Sequence, residues 1–399
     1  MKKNLIEKIN KFCSYLNDWE NKKDYYVNEL LPNWVDCYIS GLTIEARTLF
    51  LEIRQETSVD EWNNIIKLIV EIKEHYDDII KQNEINTRKD KLDSLFKKLK
   101  QNYNFDGFIH TTNFDNFINI MYSDAIYSRN YIEKHHIEHT EIALPQVIEK
   151  TNHFYKNYVR FYWRVKTPTN FRNEGIKPKI ALKYNNFAHS ANPVIFIFEP
   201  KIAFDENTLF TNVNAAIHDV EAKPIPDSSF DFRHIFHCGS IEDEFLKTKI
   251  IPARCAEFLY PKEISIKKCS KIIFRNIADY ERAILILGYK DERFCVDEHQ
   301  FLNNWLSVST YKYKITSDNI NLQISYNFGN ELYQKGYSLI DFSHNFKFLD
   351  NSEQEIINYK KELNRFDRDI NFECKINQNY KMLCYYIDNI ECIRIKIND

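Results

Sequence analysis

The stretch NYVRFYWRV, residues 157–165, decides how the middle of the chain folds. Val159, Phe161 and Trp163 alternate with Arg160, Tyr162 and Arg164, and such a period of two in β-branched and aromatic residues marks a strand with two unlike faces. The same texture recurs upstream in FDGFIHTT, residues 105–112, and downstream in PVIFIFEP (193–200), CAEFLYP (255–261) and KIIFRNI (271–277). Turn signals and helical stretches separate these runs. Alternation of this kind over residues 104–303 predicts an α+β domain.

The flanks read differently. Residues 1–103 predict a helical N-terminal domain, because Trp62, Ile65, Ile66, Leu68, Ile69, Ile72, Tyr76, Ile79 and Ile80 recur at three- and four-residue steps. Pro32 and Gly41 interrupt that region, and the charged amphipathic run over 83–100 reads as a helical cap on the domain that follows or as a nucleic-acid- or partner-binding helix pair. Residues 304–399 predict a small α+β domain, with Ile393, Ile395 and Ile397 alternating with Arg394 and Lys396 and a helical insert near 352–368.

Composition excludes several function classes. The net charge of −3 over 399 residues gives no whole-chain attraction for nucleic acid or an anionic membrane, so any such attraction must be local. Nine cysteines without a CxxC pair argue for a reducing, cytoplasmic setting and against a thiolate zinc site. The opening MKKNLIEKINKF has no apolar core of a signal peptide, and no apolar run approaches the roughly 18 residues that span a bilayer. The seven glycines stand singly, so neither a GxxxxGK[ST] loop nor a GxGxxG turn is present.

Three segments carry candidate chemistry. Between 154 and 184, eight cations (Lys156, Arg160, Arg164, Lys166, Arg172, Lys177, Lys179 and Lys183) face one acid, Glu174, with aromatic residues interleaved. Cations for phosphates and flat rings for unpaired bases suit a single-stranded nucleic acid, although a strand with a basic solvated face has the same composition. Glu257 places one carboxylate inside a strand-like run. His110, Thr111, Thr112, Asn113, Phe114, Asp115 and Asn116 close one strand and open a helix, which a capped strand-to-helix junction alone would explain.

In this order and spacing the segments resemble the DarT family of nucleic-acid ADP-ribosyltransferases. Its H-x-T-x-x-D-N junction corresponds to His110, Thr112, Asp115 and Asn116, and its YVPFYF-x-x-RSPM strand to Tyr158, Val159, Phe161, Tyr162 and Trp163, then Lys166, Thr167 and Pro168. A FTDGNA-like segment recurs as Phe210, Thr211, Asn212, Asn214 and Ala215, and a QAEFLV strand as Ala256, Glu257, Phe258 and Leu259. The resemblance implies an ADP-ribosyltransferase fold, a split mixed β-sheet with flanking helices, and NAD as cosubstrate. It further implies that His110, Thr112, Asn116 and Tyr162 serve the cofactor and that Glu257 is catalytic. Arg160, Arg164, Lys166, Arg172, Asn214 and Arg254 then become the expected contacts to single-stranded DNA or RNA. A toxin role in toxin–antitoxin or phage-defence systems, and a neutralising antitoxin partner, often a macrodomain hydrolase, follow from the family alone.

The chain also departs from the pattern. The family's proline in YVPFYF is Arg160, the arginine of RSP is Lys166, and the loop IEKHHIEHTEIALPQVIEK lacks the arginine that helps position cofactor and acceptor. Arg129, His135, His136 and His139 are the substitutes at hand. The same loop holds His135, Glu138 and His139 as H-x-x-E-H, the signature of inverted zinc proteases, so a zinc hydrolase stands as the rival reading. A non-catalytic nucleic-acid-binding module is the other. HIFHC, with His234, His237 and Cys238, has no second cluster to complete a metal site.

Overall fold

The computed structural model describes residues 3–16, 43–184 and 189–398; Pro32 and Gly41 lie outside them. The chain divides into two compact units, residues 1–91 and 92–399. In the first, helices Lys3–Cys13, Ile44–Gln55 and the start of Val59–Tyr103 bury Ile9, Phe12, Phe50, Ile53, Trp62, Ile65, Ile66 and Ile69. The side chains of Ile72, Tyr76, Ile79 and Ile80 lie outside the described residues.

The second unit opens with the remainder of Val59–Tyr103, where Leu92, Phe96 and Leu99 recur along one face and are buried. They pack on an aromatic core that includes Phe105, Phe108, Phe161, Trp163 and Phe258. The amphipathic run over 83–100 thus has its C-terminal half capping the sheet of its own unit.

Each of the five strand-like runs is a strand of that sheet. In chain order its members are β1 (Phe108–Asn113), β3 (Tyr158–Tyr162), β4 (Pro193–Phe198), β5 (Leu209–Thr211), β6 (Glu257–Pro261), β8 (Cys269–Phe274) and β9 (Phe294–Val296). Two short strands, β2 (Ala125–Tyr127) and β7 (Glu263–Ser265), form a separate ribbon. The seven strands lie in the order β5-β6-β3-β1-β4-β8-β9, antiparallel except for β8 beside β9, so the sheet is mixed. Gly107 precedes β1 because a Cβ there would fall 2.1 Å from the Phe198 carbonyl oxygen.

The sheet is nearly split in its middle. β1 runs beside β4 for six residues, from Phe108 opposite Phe198 to Asn113 opposite Pro193. Against β3 it keeps only the pair Ile109 and Tyr162.

Beyond residue 305 the chain is mostly β. β10 (Leu306–Ile315), β11 (Asn319–Phe328) and β14 (Asp369–Lys375) form one sheet. β12 (His344–Leu349), β13 (Glu355–Lys361), β15 (Met382–Ile387) and β16 (Ile390–Lys396) form another. The two sheets meet through Phe346 and Phe372, whose rings stack at 3.9 Å. The helical insert expected near 352–368 is instead β13: Ile357 and Tyr359 alternate with polar residues and pack on the core, and pairing with β12 overrides the local helical bias of the charged sequence. Short helical turns remain at Asn330–Gln334 and Leu339–Asp341. Ile176 joins this core, and Gly175, at φ +92°, sits where a Cβ would come within 2.9 Å of the Trp305 Cβ.

Candidate active site

Glu257 opens β6 and stands opposite Tyr162 of β3 on one side and Thr211 of β5 on the other. Its side chain is fully buried. Arg160 shares the face of β3 that carries Tyr162, so it is the diagonal neighbour of Glu257. Its Nε donates to Oε2 at 2.8 Å and its Nη2 to Oε1 at 2.6 Å, a two-point grip that fixes the plane of the carboxylate. The backbone N–H of Ala215 reaches Oε2 at 3.4 Å. Arg160 Nη2 also donates to Asn214 Oδ1 at 3.1 Å, which ties segment 214–216 to the ion pair. Burial pushes the Glu257 carboxyl up from its ordinary value, and Arg160 opposes that rise.

His110 lies where β1 and β3 part. Its Nδ1 is 3.1 Å from the Arg160 carbonyl oxygen, and a carbonyl only accepts, so Nδ1 carries the proton and Nε2 keeps a lone pair. Burial lowers the imidazole's pKa and favours the neutral ring. A cavity of about 230 Å³ occupies the gap, lined by His110, Tyr158, Arg160 and Tyr162 from the sheet and by Arg129, His139 and Glu141 from the loops. A neighbouring cavity of about 210 Å³ shares His110 and Arg129 and adds Thr112 and Asn116. Together they fall in the size range usual for small-molecule sites, about 300–1,000 Å³. Burial also pushes the Tyr162 phenol up, so it stays protonated at neutral pH.

A family model described as ssDNA thymidine ADP-ribosyltransferase, DarT, matches residues 109–305. This stretch is a DarT domain. Among solved structures, Thermus sp. 2.9 DarT in complex with ADP-ribosylated ssDNA is 16% identical, with 49% of this chain and 95% of that one covered at a TM-score of 0.40. The same Thermus protein in complex with NAD+ is 13% identical, covering 49% and 96% at a TM-score of 0.37. Thermosipho africanus DarTG in complex with ADP-ribose is 14% identical, covering 50% and 51% at a TM-score of 0.40. No curated protein matches the chain.

Within the DarT domain, Asn116 is held by the loop rather than free. Its Nδ2 donates to the Thr140 carbonyl at 2.8 Å and its Oδ1 accepts from the Thr140 N–H at 2.8 Å, which pins segment 136–141 against the cavity. Arg129, one of the substitutes for the missing loop arginine, does line the cavity and pairs with Glu141 at 2.7 Å. The helix Arg129–His135 ends before the HHIEH segment is complete, with His136 in the left-handed region at φ 52°. His135 and His139 are therefore not one helical turn apart, as the zinc signature needs. Among the described residues no cluster of His, Cys, Asp and Glu is placed to hold a metal ion.

The expected nucleic-acid contacts of the DarT domain separate into groups. Arg172 and Asn214 line a groove of about 700 Å³, together with Lys150, Thr169 and Cys255. Arg164 instead donates to the carbonyls of Ile235 and His237, and Arg254 to the Gly239 carbonyl and His237, so both hold the 235–239 segment in place. Lys166 is exposed beside a separate cavity lined by Ile109, Ile197 and Ile273. Arg160, read from sequence as a strand-face cation for nucleic acid, is the partner of Glu257. The available signal was its place two residues before Tyr162, but the register of β3 against β6 was not.

Proposed function

We propose that the chain transfers ADP-ribose from NAD to a base of single-stranded DNA, with Glu257 as the catalytic residue. The observation that carries this reading is the buried Glu257 carboxylate fixed by Arg160 and set opposite Tyr162, the residue of β3 that keeps the pairing with β1 before the two strands part, inside a domain of the DarT family. NAD fits the adjoining cavities by chemistry: His110 offers a neutral acceptor nitrogen for a hydroxyl, Thr112 a hydroxyl, Tyr162 a flat ring, and Arg129 a cation.

The reaction breaks the bond between the ribose C1′ and nicotinamide, which leaves with the electron pair. Positive charge develops on the ribose, and a fixed carboxylate in a water-poor site is the group best placed to stabilise it. The family's acceptor, thymidine, offers one ring N–H, at N3. That nitrogen gives its electron pair to C1′ and its proton to Glu257 acting as general base. A paired thymine hides N3, so the substrate is unpaired DNA. Arg172 and Asn214 in the large groove are the contacts assigned to the strand, and Asn116 is assigned to hold the cofactor loop.

Mass spectrometry of nucleosides after incubation with NAD and mixed single-stranded oligonucleotides tests this. The expected product is thymidine carrying one ADP-ribose, absent with Glu257→Gln; labelled protein with unlabelled DNA would overturn it. A chain that marks DNA in its own cell needs restraint. A cytoplasmic toxin role with a macrodomain-type hydrolase as antitoxin is therefore part of the proposal. Growth arrest on expression, relieved by such a hydrolase and by Glu257→Gln, is the corresponding test. Among the described residues no helix is long and apolar enough to cross a membrane.

A further inference from the structure

Arg172 is a wall common to two hollows. It lines the groove of about 700 Å³ that reaches Asn214, and also a second pocket of about 470 Å³ whose other walls include Phe171, Lys177, Trp305, Lys335 and Tyr337. Lys335 and Tyr337 lie beyond the 109–305 family match, so the second pocket is built partly by the C-terminal β region.

The chemistry of this pocket is one-sided. Lys177 Nζ and Lys335 Nζ stand 5.4 and 5.0 Å from the centroid of the same Trp305 ring. Among the described residues Glu331 is the one carboxylate lining the pocket, and it already pairs with Lys335 at 3.3 Å. Glu174 nearby is engaged by Arg275 at 3.2 Å and by the backbone N–H groups of Leu302 and Asn303. Arg172 has no ion pair among the described residues. Lys177 is the telling group: it is 3% exposed, and its hydrogen bond goes to a neutral acceptor, the Arg172 carbonyl. A buried ammonium without a carboxylate in contact is costly, and an anion entering the pocket would offset that cost. Burial, with Lys335 adding to it, holds Lys177 down to about 8.

We infer that this pocket is a second subsite for single-stranded DNA, binding a phosphate and the adjoining base of nucleotides that flank the modified one. The inference rests on the transferase reading for the identity of the strand. Three cations supply phosphate contacts, while Phe171, 44% exposed, and Tyr337 supply surfaces on which a base stacks. Arg172 links the subsite to the groove beside Asn214, so one strand passes both. The C-terminal region would thereby extend the acceptor site and favour longer substrates.

The test is fluorescence anisotropy with the full chain and labelled single strands of about 6 and about 20 nucleotides, on wild type, Lys335→Glu and Lys335→Ala. Lys335 is exposed, so both variants are expected to fold, and unchanged thermal unfolding confirms it. The expected result is about tenfold weaker binding of the long strand by Lys335→Glu, with a salt slope shallower by about 0.7 for Lys335→Ala. Binding of the short strand, and nicotinamide release from NAD alone, stay as in wild type. Unchanged long-strand affinity in both variants overturns the proposal. So does weakened binding of inorganic phosphate without weakened binding of the long strand, since the pocket would then be a small-anion site. If Lys335→Glu weakens the long strand yet wild type transfers nothing to DNA, the subsite stands and the transferase reading falls.

Discussion

Both carboxylate oxygens of Glu257 are gripped by a single guanidinium, that of Arg160, at 2.6 and 2.8 Å. The resemblance places a proline at this position of β3, so the ion pair is a feature of this chain rather than of the motif. It orients the carboxylate, and it also makes it a weaker base. Substituting Glu257 by Gln should leave NAD binding near wild type while lowering transfer by at least about a thousandfold, or roughly 4 kcal/mol of barrier. Single-turnover rates with isothermal titration of NAD measure the two effects separately.

Removal of either partner should also destabilise the fold, because it leaves the other charge without its counter-ion, the Glu257 carboxylate fully buried and the Arg160 guanidinium partly so. Arg160→Met and Glu257→Gln are each expected to lose about 2 kcal/mol or more in urea unfolding. The double variant should lose less than the two together, since neither charge is then stranded. Strict additivity would mean that the contact carries no coupling.

The pH profile reports the same pair. Burial raises the Glu257 carboxyl and Arg160 lowers it. Arg160→Gln removes the lowering influence, so the carboxyl must rise further. If catalysis needs the ionised form, the acid-side fall of kcat/KM moves to higher pH in that variant, and the activity lost on the acid side is regained as pH rises. An acid limb that stays in place would show that Glu257 does not titrate in the rate profile.

The loop held by Asn116 gives a different signature. Both hydrogen bonds of the Asn116 amide go to Thr140, so Asn116→Ala frees the 136–141 segment that walls the cavities proposed for NAD. The expected outcome is a KM for NAD raised about five- to tenfold with kcat nearly unchanged, in line with two lost bonds worth about 0.5–1.5 kcal/mol each on a half-exposed site. An equal fall in kcat would point to direct contact with the reacting ribose.

These sites differ in how far the sequence revealed them. The strands were legible because the runs around Phe108, Phe161, Phe196, Phe258 and Phe274 are short, rich in β-branched and aromatic residues and bounded by turn signals, and each became a member of one sheet. Glu257 was legible through the likeness of its strand to a known motif. The Arg160 contact was not, because it depends on which residue of β3 faces which residue of β6. Arg164 and Arg254 read as nucleic-acid contacts, yet carbonyls of residues 235–239, 71 and 73 positions from Arg164 and 15 from Arg254, capture their donors. The segment 355–361 misled for a related reason: only Ile357 and Tyr359 pack on the core, and its strand character comes from pairing with β12 at the edge of a sheet, about which local composition says little.

Lys177 lets stability and binding be weighed against each other. Its ammonium is held down to about 8 in the fold, against an ordinary value of 10.5. The unfolded chain therefore binds the proton more tightly, and the penalty is fully present below pH 8 and fades as pH rises from about 8 to 10.5. Wild type should accordingly gain stability over that interval, by up to about 3 kcal/mol at the value of 1.36 per pH unit. Lys177→Met, which keeps the length and removes the charge, should be more stable than wild type at pH 7 and show a flatter dependence above pH 8. It should at the same time bind long single strands less tightly. A variant that gains stability and keeps its full affinity would remove Lys177 from the strand path, whereas a gain coupled to a loss identifies a charge retained for its ligand at the expense of the fold.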